Sequence, residues 1–173
     1  MIRLRLCPSV RSLCGAPILF AAAMLAITPV RAERAPQPVS PFAAMVGTWS
    51  GNGTVSLTNG SSERIRCQAA YAIGDASNNL RSVLRCASDS YKFELNSDVN
   101  SRAGALTGAW REATRGLTGG MSGTFNGKDV RARIESPGFS ADLMLETNGN
   151  SQTVTLRSQG TELTGVAITL SRR

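Results

Sequence analysis

The chain has 173 residues, nineteen Lys+Arg against twelve Asp+Glu, and no histidine. That length sets an expectation of one domain with at most an appendage. The missing histidine removes His-based general-base triads, haem ligation through histidine and the usual zinc sites, and no other spacing points to a metal or a cofactor.

Residues 1–15 carry Arg3, Arg5 and Arg11 and no acid, and residues 16–27 are an apolar run containing Leu19, Phe20, Met24, Leu25 and Ile27. Val30-Arg31-Ala32 then places small residues at the two positions a signal peptidase reads. This order of basic, apolar and small segments predicts a secretory signal peptide over 1–32, cleaved after Ala32. An apolar run of about a dozen residues falls short of the roughly 20 needed to span a bilayer, so the chain is not expected to cross a membrane. The leader holds four arginines, Arg3, Arg5, Arg11 and Arg31, so the remainder carries fifteen basic against twelve acidic residues, a net +3 instead of the full chain's +7. No Lys/Arg block that would track phosphates is present, which argues against nucleic acid as a partner. The expected compartment is the bacterial periplasm or the extracellular medium.

Residues 33–45 hold Pro36, Pro38 and Pro41 and read as an extended linker ahead of a domain over 46–173. From Val46 the pattern becomes period-2 alternation broken by turn residues, which predicts strands at about 46–57, 62–73, 80–89, 91–98, 104–113, 117–125, 128–136, 139–147, 151–158 and 162–171. Asn59-Gly60, Asn126-Gly127 and Asn148-Gly149 are hairpin signals. One dry face and one wet face, repeated through short loops, is the pattern of an all-β antiparallel up-and-down barrel of about 8–10 strands. A two-sheet sandwich with the same alternation is the alternative.

Cys7 and Cys14 leave with the leader, whereas Cys67 and Cys86 remain. If Ile73 pairs with Leu80 across the intervening loop, Cys67 falls opposite Cys86 on the apolar face, within reach of a disulfide.

Gly47-Thr48-Trp49 opens the first predicted strand with the G-x-W of calycin barrels, the superfamily of lipocalins, avidins and fatty-acid-binding proteins, which the chain resembles. The resemblance implies that Trp49 packs at a closed barrel end under a basic residue of the last strand, here Arg172 or Arg173. It also implies a cavity for a small apolar ligand. Two departures stand out: there is no helical lid between the first strands and no C-terminal helix. Disulfide-closed barrels with a similar opening also occur among bacterial inhibitors of secreted metalloproteases.

Parity places the candidate ligand-binding residues Trp49, Tyr71, Trp110, Phe125 and Phe139 on the inner face, where aromatic side chains serve equally as pocket walls or as core anchors. Inward glycines Gly51, Gly53, Gly108, Gly119 and Gly123 mark either a barrel flattened against its neighbours or room for a guest. Arg64, Arg66, Arg81, Arg85, Arg131 and Arg133 face outward and suit an anionic surface or an envelope protein, or simply a solvated face. Glu112 is the one carboxylate facing inward beside Trp110, and a lone carboxylate without a second positioned group makes no active site. The chain is therefore expected to be an exported, non-enzymatic binder of a small apolar molecule, or alternatively an envelope interaction or protease-inhibitor-like protein acting through its surface or loops.

Overall fold

A computed structural model describes residues 39–173. The expected signal peptide over 1–32 and the first part of the expected linker lie outside the described residues. The rest is built from β1 (Gly47–Leu57), β2 (Ser62–Ile73), β3 (Asn79–Ala87), β4 (Lys92–Arg102), β5 (Ala105–Glu112), β6 (Leu117–Phe125), β7 (Asp129–Ser136), β8 (Phe139–Asn148), β9 (Ser151–Gln159) and β10 (Leu163–Arg172). Each strand pairs antiparallel with its neighbours in sequence, and β1 pairs with β10 to close the barrel, which decides against the sandwich. Closure leaves no exposed strand edge. No described helix is long and apolar enough to cross a membrane.

Alternation sets the core. In β2, Ile65, Cys67, Ala69 and Tyr71 are buried while Arg64, Arg66, Gln68 and Ala70 are exposed. In β7, Val130, Ala132 and Ile134 are buried between exposed arginines. The pairing of Ile73 with Leu80 does bring Cys67 opposite Cys86, and the two form a disulfide buried inside the barrel. A bridge across 19 residues contributes about 3 kcal/mol on the chain-entropy account.

The inward glycines resolve in favour of tight walls. A Cβ on Gly119 would collide with the carbonyl oxygen of Glu135 and stand 2.7 Å from the Trp110 indole. A Cβ on Gly51 would likewise meet the Thr169 carbonyl. Neighbouring strands, not an open lumen, take the space these residues leave.

Two local expectations are corrected. The fourth strand runs to Arg102 instead of ending near 98, because the hairpin turns on Ala103 and Gly104, both at positive φ (50° and 83°). A mirror-image turn with alanine in its first central position carries no Asn-Gly signal. The extended linker also ends earlier than 45: residues 41–45 form a tight turn, with the Met45 amide donating to the Phe42 carbonyl at 2.9 Å. Phe42 and Met45 are fully buried against the barrel.

Candidate functional site

Because strands alternate in direction, the loops collect at two ends. One end receives the 41–45 turn and the C-terminal residues; the other receives the loops 58–61, 88–91, 113–116, 137–138 and 160–162. The two ends are built differently.

At the first end, Phe42 stacks on Phe125 with ring centroids 4.6 Å apart. The Trp49 indole N–H donates to the Met45 carbonyl at 2.9 Å, and the ring is 1% exposed. The Arg172 guanidinium lies 4.2 Å over that ring and donates to the carbonyls of Val46 and Ala44, which fastens the last strand to the plugging turn. Deeper in, the Tyr71 hydroxyl donates to Gln152 Oε1 at 2.7 Å, and Gln152 Nε2 donates to Thr147 Oγ1 at 3.0 Å. Burial pushes the Tyr71 phenol well above its ordinary pKa and keeps it a hydrogen-bond donor. This end is shut.

At the opposite end a cavity of about 320 Å³ opens inside the mouth. Its walls are Phe93 and Leu95 from β4, Trp110 from β5, Phe139 from β8, Leu156 from β9 and Leu163 from β10. Trp110 meets Phe139 edge-on at 5.9 Å and donates its indole N–H to the Gly120 carbonyl at 3.0 Å. The bare backbone of Gly119 lets the ring lie flat against β6. Polar groups gather at the rim. Glu112 accepts from the backbone N–H groups of Arg115 at 2.7 Å, Thr114 at 2.9 Å and Glu94 at 3.2 Å. Burial works to raise its pKa, but these hydrogen bonds win, and its carboxyl is held below the usual carboxylate value. Its first task is thus to tie down the β5–β6 loop. Arg115, on that loop, stacks its guanidinium 4.8 Å over the Tyr91 ring and lies 3.7 Å from Glu112 Oε2.

The five aromatic residues singled out from sequence are therefore divided. Trp110 and Phe139 come together in the cavity wall, whereas Trp49, Tyr71 and Phe125 pack at the shut end and do not line it. Phe93, Leu95, Tyr91 and Arg115 line the cavity without having been singled out. Tyr91, Phe93 and Leu95 share one parity on the strand expected over 91–98, a signal visible in the sequence, although Tyr91 itself lies in the 88–91 loop; Arg115 belongs to a loop, where alternation says nothing.

The six outward arginines do not form one surface. Arg81 pairs with Asp75 and Asp98, Arg85 with Glu94, and Arg133 with Glu135 and Asp142. Among the described residues Arg64, Arg66 and Arg131 make no ion pair, but the first two are on β2 and the third on β7, halfway round the barrel.

No protein-family model matches the sequence, and neither does any curated protein. Solved structures do resemble it. Rv2717c from M. tuberculosis aligns with a TM-score of 0.60 at 15% identity, over 76% of this chain and 94% of that one. The S-type phycobiliprotein lyase CPES from Guillardia theta aligns with a TM-score of 0.55 at 10% identity, over 76% and 90%. At these identities the likeness carries the fold alone, a closed antiparallel barrel. It also corrects the expectation of a non-enzymatic protein. A barrel of this fold is named a lyase, so the architecture does not argue against catalysis.

Proposed function

We propose that the barrel holds a small, largely apolar molecule in its mouth cavity, in a protein exported from the cytoplasm. The observation that carries the reading is the cavity itself. It is concave, walled by aromatic and aliphatic side chains, and edged by a few fixed polar groups, the ordinary make-up of a small-molecule site. Its 320 Å³ sits at the lower end of the usual range of about 300–1,000 Å³, so the guest is compact. The closed antiparallel barrel supports the reading, since a small barrel of this kind has room inside for one small ligand. Export rests on the tripartite leader and is consistent with a disulfide inside the barrel, a bond that persists in oxidising compartments.

Native mass spectrometry of the protein purified from the exporting cell tests both parts. The expected spectrum shows a chain beginning at Glu33 that carries a small adduct, which is lost from a Phe139→Trp variant whose added ring fills the cavity. A chain retaining Met1 contradicts export. An adduct that survives the filling substitution contradicts the site.

A further inference from the structure

The charged groups at the rim specify more than an apolar guest. Arg115 lines the cavity, and its guanidinium is held on two sides: the Tyr91 ring lies beneath it at 4.8 Å and Glu112 Oε2 beside it at 3.7 Å. A stacked guanidinium keeps its fork of N–H donors free at the edge. Among the described residues the Arg115 side chain donates no hydrogen bond, and 43% of it is exposed. Glu112 does not use it up, because their ion pair at 3.7 Å is too long for a hydrogen bond and leaves the guanidinium N–H groups without an acceptor. The remaining charged group on the lining, Glu162, sits on the β9–β10 loop with its residue exposed, where water and salt screen it. An oriented, unfilled donor fork therefore stands at the edge of an otherwise apolar cavity.

We infer that the natural ligand is an amphipathic carboxylate, with its apolar body among Trp110, Phe139, Phe93 and Leu156 and its carboxylate on the Arg115 fork. The inference rests on the proposed cavity site and names its ligand class. The geometry suits a single negative charge. A carboxylate matches the fork with two parallel hydrogen bonds, and its one charge meets less repulsion from Glu112 and Glu162 than the two charges of a phosphate would. A cationic ligand would have to take the place over Tyr91 that Arg115 already holds.

Three ten-carbon probes of one tail and different heads separate the possibilities: decanoate, decanol and decylamine, each titrated at neutral pH against displacement of a neutral fluorescent probe from the full mature chain. The expected order is decanoate tightest, by about tenfold over decanol, a step worth about 1.4 kcal/mol. In Arg115→Gln the preference for decanoate over decanol disappears, and Arg115→Lys, which keeps the charge without the fork, retains part of it. Circular dichroism of each variant confirms the fold. Equal affinity for decanoate and decanol in the parent, a decanoate preference that survives Arg115→Gln, or tightest binding of decylamine overturns the head-group assignment and leaves the cavity standing. If none of the three displaces the probe, the cavity reading falls with it.

Discussion

The shut end and the mouth of this barrel use the same kinds of residue for opposite purposes. Each has a tryptophan on an inner strand face, an arginine near an aromatic ring, and a polar side chain binding backbone. At the shut end, Trp49 is sealed between the 41–45 turn and Arg172, whose two terminal nitrogens donate to the chain's own carbonyls. At the mouth, Trp110 lines empty volume, and Arg115 stacks on Tyr91 without donating a hydrogen bond among the described residues. An arginine whose donors are satisfied by its own chain is a fastener; one held in place with its donors free is built to meet something else. Among the described residues the difference comes from the segments flanking the barrel strands, since the 41–45 turn and the C-terminal residues meet at the same end.

The largest expected effect is at the sealed tryptophan. Trp49→Ala should lower stability by about 3–5 kcal/mol, measured by denaturant unfolding, as a large ring lost from a fully packed site. Phe139→Ala, on a half-buried cavity wall, should cost distinctly less while weakening ligand binding. Equal losses at the two positions would erase the contrast.

Next comes Tyr71→Phe. Removing the hydroxyl leaves buried Gln152 Oε1 without its donor and should cost about 1–3 kcal/mol, with ligand binding unchanged. A change in binding would show that the polar chain of Tyr71, Gln152 and Thr147 communicates with the cavity.

A smaller effect, and a pH-dependent one, is expected at Glu112. Hydrogen bonds from Thr114, Arg115 and Glu94, outweighing burial, hold its folded pKa below the ordinary 4.5. The ionised form therefore stabilises the fold above that value, and the contribution is lost as pH falls through the folded pKa. Glu112→Gln should cost about 1–2 kcal/mol near neutrality, and the gap to the parent should close in acid. A gap independent of pH would place the effect in packing.

Much of this contrast could be read from the sequence, for local reasons. Parity in β2 and β3, together with the assumed pairing of Ile73 with Leu80 across the loop, was enough to bring Cys67 opposite Cys86; a one-residue slip would have turned every apolar side chain of β2 outward. Trp49 beneath a C-terminal arginine followed from the resemblance carried by Gly47-Thr48-Trp49 together with antiparallel closure of β1 on β10. Three things were out of reach. Alternation gives the face of a residue but not its height in the barrel, so it grouped Trp49, Tyr71 and Phe125 with Trp110 and Phe139. Three prolines made residues 33–45 read as a spacer, although Phe42 and Met45 are the plug; a single short turn docked on the barrel leaves no periodic trace. Tyr91 and Arg115 meet across two separate loops, a contact that exists only once β3 to β6 are in register.

The division of the barrel into a sealed end and a receptive one is tested most directly by two single-tryptophan proteins. In Trp49→Phe the remaining emission comes from Trp110, and in Trp110→Phe from Trp49. Titration with decanoate should shift or quench the emission of the first and leave that of the second unchanged. A response from Trp49, or silence from Trp110 when binding is saturated, would contradict the account.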